Sequence, residues 1–432
     1  MTLEMPEALA LRGRERASGS PADRREPARL AIFLRSLREG GGAEQNLLNL
    51  ARGFAERGHA VDLVLGRREA ACPDDLPAEI RCLELSGPRL AATARAAWRD
   101  PGTARGLLPA CGRGTPPWVL ACAPELADYL RTERPDALLS ALSYSNLTAL
   151  WARRLAGVAT RIVVSERNTV SARAAHESRM RWRVLPSLLR RFYPEADAVS
   201  TVSDGVASDL ARVTGIARDR IHTTYSAIVT PDLERRAAEP LAHPWLAEGA
   251  PPVVLGVGKL KLQKDFATLL RAFARLRRSR DARLVILGRG PERRRLVGLA
   301  RQLGITRDVA FPGFVPNPLA FMARAGAFAL SSAWEGLPSV LVQAMACGCP
   351  VASTDCPSGP REILAGGVYG PLVPVGDAEA LAQALAGLLA QSPARGALRA
   401  RAAAFDVDAA VDRTLPLLWP AALDTSRRKV AS

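Results

Sequence analysis

Residues 335–350 read EGLPSVLVQAMACGCP. An acid, Glu335, stands in a Gly/Pro turn ahead of an apolar run, and a polar Gln343 follows eight residues later. Pro338 suits the first turn of a helix and Gly348 the position just past its end, which predicts a helix over about 338–347. Ser339 and Gln343 then share one face, while Leu341, Ala344 and Met345 point elsewhere, toward a core. Glu335 lies beside the free N–H groups of residues 336–340. An acid there can be a mere cap. Its chemical use would be to accept sugar hydroxyls while the adjoining amides hold phosphate.

Two other stretches could join it. VGKLKLQKD carries Lys259 and Lys264 where a strand ends, and two lysines five residues apart could clamp a diphosphate as point charges. A solvated loop accounts for them equally well. Gly40, Gly41 and Gly42 follow an apolar strand and precede a helix, where glycine lets backbone N–H groups approach an anion. This is neither G-x-G-x-x-G nor a P-loop, and a tight turn also explains it. Together the three features ask for a ligand with a diphosphate, a polyhydroxyl group and a nucleoside, that is, a nucleotide sugar.

These residues need a scaffold that brings strand ends together. RLAIFLRSL (29–37) is an apolar strand, followed by a glycine loop, a helix and the strand HAVDLVLG (59–66). That order opens a parallel α/β sheet. Further strands are expected at 136–142, 161–166, 197–203 and 219–228. Residues 232–252 are polar and proline-rich without apolar periodicity, and read as a linker; the strand–helix alternation restarts at 253. The expected division is a leader over 1–28, a Rossmann-like domain over 29–231, the linker, a second Rossmann-like domain over 253–405, and a C-terminal helix and tail over 406–432. In such sheets ligands bind where strands end and helices begin.

Composition narrows the class. The 432 residues are 48% hydrophobic and 24% charged, which is globular, and no apolar run reaches the roughly 18 residues of a membrane span. Seven cysteines, an odd number without a C-x-x-C pair, argue against a disulfide framework or a zinc site and for a reducing cytoplasm. The net charge of +16 sits mostly in 161–193, with eight arginines, and 271–301, with eleven. The second reads as a solvated helix face. The first mixes arginine with Met180, Trp182, Leu185, Leu188, Leu189 and Phe192 over 171–193, a pattern that suits either an anionic membrane surface or core packing. No nucleic-acid-binding module is recognisable, so no nucleic-acid partner is expected.

The chain also resembles the retaining glycosyltransferase family 4, of GT-B fold. The resemblance is carried by GGGAEQNLLNLARGFAERGHAVDLV, VSERN, AVSTVSDGVASDL, VGKLKLQKDFATLLRAF, LVILGRGPER, VAFPGF, SSAWEGLPSVLVQAMACGCPVASTDCPSGPREIL and YGPLVPVGD, over roughly residues 29–420. TDCPSGPREIL is closest to the branch associated with polysaccharide, lipopolysaccharide and glycan-lipid assembly. The resemblance implies two doubly wound domains facing a cleft, with the C-terminal helix returning to the N-terminal domain. It implies transfer of a hexosyl group, with retention, from a nucleotide sugar (a UDP-sugar) to a glycan or lipid-linked acceptor, with no metal or other cofactor.

By position, it puts Glu335 on the donor sugar and Lys259 and Lys264 on the diphosphate. Gly41, Gly42, Phe314, Val315, Gly336, Leu337, Pro338, Ser339 and Gln343 are implied to bind the donor. Gln343 stands where relatives carry a second glutamate for the ribose hydroxyls. Ser143, Tyr144, Asn146, Glu166, Arg167 and Asn168 follow strand ends and are expected to line the acceptor side. Asp406-Val407-Asp408 looks like a metal motif but begins the final helix, where acids favour the helix dipole. The location implied is cytoplasmic, peripheral on the inner face of the membrane. A catalytically weak GT-B scaffold is the competing reading, motivated by Gln343 and Lys259.

Overall fold

The computed structural model describes residues 28–37, 41–66, 72–87, 90–111, 118–177, 179–391 and 393–420. The expected leader, up to residue 27, Gly40 and the tail beyond residue 420 lie outside the described residues.

The N-terminal domain opens with β1 (Arg29–Leu34), α1 (Gly42–Glu56), β2 (Ala60–Leu65) and β3 (Ile80–Glu84). Three helices follow, α2 (Leu90–Arg99), α3 (Pro101–Leu107) and α4 (Ala123–Glu133), then β4 (Ala137–Ala141), α5 (Ser143–Ala156) and β5 (Arg161–Glu166). It closes with α6 (Val170–His176), α7 (Met180–Arg183), α8 (Leu185–Phe192), β6 (Ala198–Thr201), α9 (Asp204–Thr214) and β7 (Ile221–Thr223). The strands form one parallel sheet in the order β3-β2-β1-β4-β5-β6-β7. Strand β1 is covered on both sides, which is why its sequence is a continuous apolar run. Ala31 and Phe33 face the core under α4, α5 and α8, and Leu30, Ile32 and Leu34 face the one under α1.

The C-terminal domain starts with α10 (Leu233–Ala238) and runs through β8 (Val253–Val257), α11 (Phe266–Leu276), β9 (Arg283–Leu287), α12 (Arg293–Gln302), β10 (Val309–Gly313), α13 (Leu319–Arg324) and β11 (Ala327–Leu330). Then come α14 (Ser339–Ala346), β12 (Val351–Thr354), α15 (Pro360–Ile363), β13 (Leu372–Val373), α16 (Ala378–Ala390) and α17 (Arg395–Ala402). Its parallel sheet has the order β10-β9-β8-β11-β12-β13, and its helices cover both faces, so the doubly wound, two-domain architecture expected from the sequence is present. The final helix, α18 (Val407–Leu418), returns to the N-terminal domain: Arg57 pairs with Asp408 and Asp412, and the Arg161 guanidinium donates to the Leu417 carbonyl. Gly53 makes room for it, since a Cβ there would lie 2.4 Å from Val407 Cγ1. The chain thus crosses between domains twice, and the crossings touch. Ile228 and Val229 both donate backbone N–H groups to the Phe405 carbonyl, at 2.9 and 3.1 Å.

Two expectations are corrected, and one choice left open by the sequence is decided. Residues 232–252 are not featureless: α10 packs on α13 with Leu233 buried, and Asn317 Nδ2 donates to Glu239 and to the Arg236 carbonyl. Its six residues are too few to show an apolar period. The cysteines are not all thiols. Cys72 and Cys82 form a disulfide, because β3, a strand absent from the sequence reading, lies beside β2 and brings Cys82 back to the loop that holds Cys72. The apolar face of 171–193 is committed to the core, since Leu185, Leu188, Leu189 and Phe192 are all buried.

Candidate active site

The loop after β11 and helix α14 build the centre of the cleft. The helix ends with Gly348 at a positive φ of 73°; the Gly348 N–H bonds the Met345 carbonyl and the Cys349 N–H the Ala344 carbonyl, which closes the last turn as the glycine predicts. At the other end Glu335 is only 6% exposed. Its Oε1 accepts from Lys264 Nζ at 2.5 Å and from Ser332 Oγ at 2.6 Å, while among the described residues Oε2 accepts no hydrogen bond. The Glu335 carbonyl accepts from Thr169 Oγ1 at 2.6 Å and Ser358 Oγ at 2.7 Å, so one residue from each domain fixes the backbone of this acid.

The lysine loop is held from two directions. Gly288, at φ 137°, and Gly290 lie against the backbone of residues 258–260: a Cβ would come within 1.9 Å of the Gly258 carbonyl oxygen or 2.2 Å of that of Leu260. Gln263 joins this loop to the acid's loop, donating from Nε2 to the Trp334 carbonyl while its own carbonyl accepts from the Ala333 N–H. Lys264 is therefore aimed at Glu335, and Lys259 is exposed at the end of β8.

The two domains meet directly over this centre. Asn46 Nδ2 on α1 donates to Ser339 Oγ at 2.9 Å, and Ser203 Oγ donates to the Gly336 carbonyl at 2.9 Å. A Cβ on Gly42 would lie 3.4 Å from Ser339 Oγ, and one on Gly336 only 2.2 Å from the Arg167 carbonyl oxygen. Gly42 thus faces the start of α14, where Gly336, Leu337 and Pro338 are buried and Ser339 and Gln343 remain partly exposed on one face, while Gly41 lies against the Glu44 carboxylate of α1. Across the same seam Glu362 accepts from the Asp204 and Gly205 N–H groups, an acid at the N-terminus of α9. The His176 ring stacks on Trp334, centroids 4.5 Å apart.

The acceptor-side residues divide. Arg167 and Asn168 stand partly exposed at the seam. The Arg167 guanidinium donates to Ser226 Oγ, and burial pushes its pKa down to about 10. Ser143, Tyr144, Asn146 and Glu166 lie behind the wall rather than on it. Glu166 accepts from Ser143 Oγ, Tyr193 OH and the Arg167 N–H; Asn146 Nδ2 donates to Tyr193 OH and the Ser165 carbonyl; Tyr144 OH donates to the Arg181 carbonyl. Desolvation raises the Glu166 pKa against the pull of these donors. The local reason is Leu142, whose φ of 75° turns the start of α5 in toward β5.

Away from this centre, Phe314 is 57% exposed after β10 and Val315 packs on the C-terminal core. Asp406 caps α18 through the Ala409 N–H, and Asp408 pairs with Arg57. The sequence reading missed Thr169, Ser203, Ser332 and Ser358. Three of them, Ser203, Ser332 and Ser358, sit in segments quoted above, but small hydroxyl residues carry no spacing signal of their own.

Comparison with known proteins agrees with this geometry. Residues 40–231 match the model described as Glycosyltransferase Family 4, and residues 241–405 that described as Glycosyl transferases group 1. The N-acetylgalactosamine-N,N'-diacetylbacillosaminyl-diphospho-undecaprenol 4-alpha-N-acetylgalactosaminyltransferase of Campylobacter jejuni is 34% identical over 269 residues, 61% of this chain and 71% of that protein. The lipopolysaccharide core biosynthesis glycosyltransferase LpsE of Rhizobium meliloti is 36% identical over 172 residues, 39% of this chain and 49% of its own length. Among solved structures, the lipopolysaccharide outer core galactosyltransferase WaaB superposes with a TM-score of 0.63 at 20% identity, covering 91% of this chain and 99% of WaaB. Anabaena HepE in complex with UDP and glucose gives 0.70 at 18% identity, covering 90% and 99%. With these matches and the two facing sheets, the chain belongs to the family 4 glycosyltransferases of GT-B fold.

Proposed function

We propose that this glycosyltransferase moves a hexosyl group, with retention, from a UDP-sugar to a glycan or lipid-linked glycan in surface polysaccharide assembly. The observation that carries the reading is Glu335: one carboxylate oxygen is held by Lys264 and Ser332, and the other is left to accept a hydroxyl. Lys264 Nζ has three donors and gives one to Glu335, so two remain for the diphosphate. Lys259 and the amides at the start of α14 add positive potential. Gln343, one turn along from Ser339, takes the ribose diol as a neutral partner.

In this reading the bond between the anomeric carbon and the diphosphate oxygen breaks while the acceptor oxygen bonds to the same face of that carbon. The acceptor proton passes to the departing diphosphate. Lysines and helix amides stabilise the leaving group, and no metal is assigned to it. Support for a lipid-linked or lipopolysaccharide acceptor comes from the relatives' names, and support for UDP from the HepE complex.

The test is a thermal-shift screen of UDP- and GDP-sugars, repeated with Glu335→Ala and Lys264→Ala, followed by transfer to lipid-linked glycans with and without EDTA. A UDP-sugar shift lost in both variants, with an EDTA-insensitive product that keeps the donor's anomeric configuration, supports it. Absence of both binding and slow donor hydrolysis would favour the scaffold reading.

A further inference from the structure

Trp151 and Trp334 are both buried, at 4% and 6% exposure, but in different ways. Trp151 belongs to the N-terminal core under α4, α5 and α8, whereas Trp334 belongs to none of the four apolar cores of the two domains. A face of the Trp334 indole lies instead under the His176 ring, with centroids 4.5 Å apart and the planes inclined by 21°. His176 is itself exposed. Among the described residues the Trp334 indole N–H has no hydrogen-bond partner. An aromatic ring buried outside any core, beneath an exposed side chain, is bared by one rotation of that side chain.

The backbone under this ring is held firmly. The Trp334 carbonyl accepts from Gln263 Nε2 at 2.9 Å, and the next carbonyl, that of Glu335, accepts from Thr169 and Ser358. Helix α6 is tied at its start, where Val170 is buried and the Ser171 N–H donates to Asp209 at 3.0 Å. Its end is tied only within the helix: His176 Nδ1 donates to the Ala172 carbonyl at 2.8 Å, and Ala175 is exposed beside it. Turning the histidine aside therefore breaks no hydrogen bond between elements, and side-chain changes of that size are common on binding. Consecutive side chains here also point to opposite domains. Glu335 reaches Lys264 in the C-terminal domain, while Trp334 meets α6 of the N-terminal domain.

We propose that the Trp334 indole is a subsite for a pyranose ring of the acceptor, and that His176 lies in that ring's place until the acceptor arrives. The inference rests on the proposed function in one respect, that the acceptor ends in a sugar. A pyranose turns a flat patch of C–H groups to one side, which complements the electron-rich face of an indole. Its rim carries hydroxyls that can accept from the indole N–H. An imidazole is flat as well, so it covers the same patch and shields the indole beside Glu335 from water. It also lowers the apparent affinity for the sugar by the fraction of time that it occupies the face.

The experiment is saturation-transfer NMR of the full chain in the presence of UDP, with the methyl pyranosides of glucose, galactose, mannose, N-acetylglucosamine and N-acetylgalactosamine. At least one glycoside is expected to receive saturation through the C–H groups of one ring face. His176→Ala should tighten its Kd by about two- to tenfold, the worth of the displaced stack. Trp334→Leu keeps apolar bulk without an aromatic face and should weaken binding by about tenfold, whereas Trp334→Phe should keep most of it. Melting curves verify the fold of each variant. No saturation of any glycoside by either the wild type or His176→Ala overturns the proposal. So does weaker binding in His176→Ala, the result of a purely structural contact, or equal binding in Trp334→Leu, the result of a sugar bound elsewhere. Thermal shift of the wild type with UDP-sugars separates the two readings. Glycoside binding that depends on Trp334 without a UDP-sugar shift sinks the donor reading alone, and a UDP-sugar shift without glycoside binding sinks this one alone.

Discussion

Lys264 Nζ and Glu335 Oε1 lie 2.5 Å apart with side chains 18% and 7% exposed, an ion pair at the meeting point of two domains. Removing either member leaves the other charge in a poorly solvated place. Lys264→Ala and Glu335→Gln should each lower kcat/KM by about 10²–10³-fold. Because both serve one constellation, the double variant should lose little more than either single variant. Steady-state transfer or donor-hydrolysis rates check this, and losses that multiply would show that the two act separately.

Gln343→Glu restores an acid at the partly exposed position beside Ser339. A diol bonded to a carboxylate gains about 1 kcal/mol over one bonded to an amide, or roughly fivefold in donor affinity. Titration calorimetry with UDP-sugar measures it. Unchanged or weaker binding would place the ribose elsewhere.

Gly336→Ala should part the domains. Its Cβ would stand 2.2 Å from a backbone carbonyl oxygen of Arg167, which no rotamer change can relieve. A loss of about 1–3 kcal/mol in stability and most of the activity is expected. Gly298→Ala, in α12 where nothing lies within 4 Å, should instead stabilise by about 0.5–1 kcal/mol. Opposite shifts in melting temperature are the readout.

Tyr193→Phe removes a donor to buried Glu166 and leaves Asn146 Nδ2 without that acceptor, costing about 1–3 kcal/mol. The folded-state pKa of Glu166 is already raised, so its protonated form favours folding and stability falls as pH rises through that value. Loss of the tyrosine donor raises it further. The destabilisation should therefore be greater at neutral pH than near the ordinary glutamate value of 4.5. Denaturant titrations at the two pH values test the sign.

How much of this was legible in the sequence depended on range. Strand β1, the restart at β8 and the Gly348 stop announce themselves in consecutive residues, because burial on both sheet faces and a left-handed helix end each demand particular side chains. Glu335, Lys264, Gly42 and Ser339 stood out by type and neighbourhood. The clasp of Thr169 on the Glu335 carbonyl did not, since it joins residues 166 positions apart through a hydroxyl that could bond anywhere. Ser143, Asn146 and Glu166 followed strand ends, as wall residues would. The positive φ of Leu142, whose type gives no hint of it, turns Ser143 and Asn146 inward, where Ser143 meets the buried Glu166 at the end of β5. The Cys72–Cys82 bond was hidden because the strand that aligns it, IRCLE, lacks clear alternation.

The paired crossings at Ile228–Val229 and Phe405 limit how the cleft can open. A single linker would let one domain swing, slide or twist relative to the other. Two chain segments bonded side by side act as a door hung on one pin: translation or twist would stretch one crossing against its neighbour, and only rotation about their common line leaves both intact. Entry of a donor then depends on one angle, and the contacts of Asn46, Thr169 and Ser203 with the other domain are made or released by that same angle.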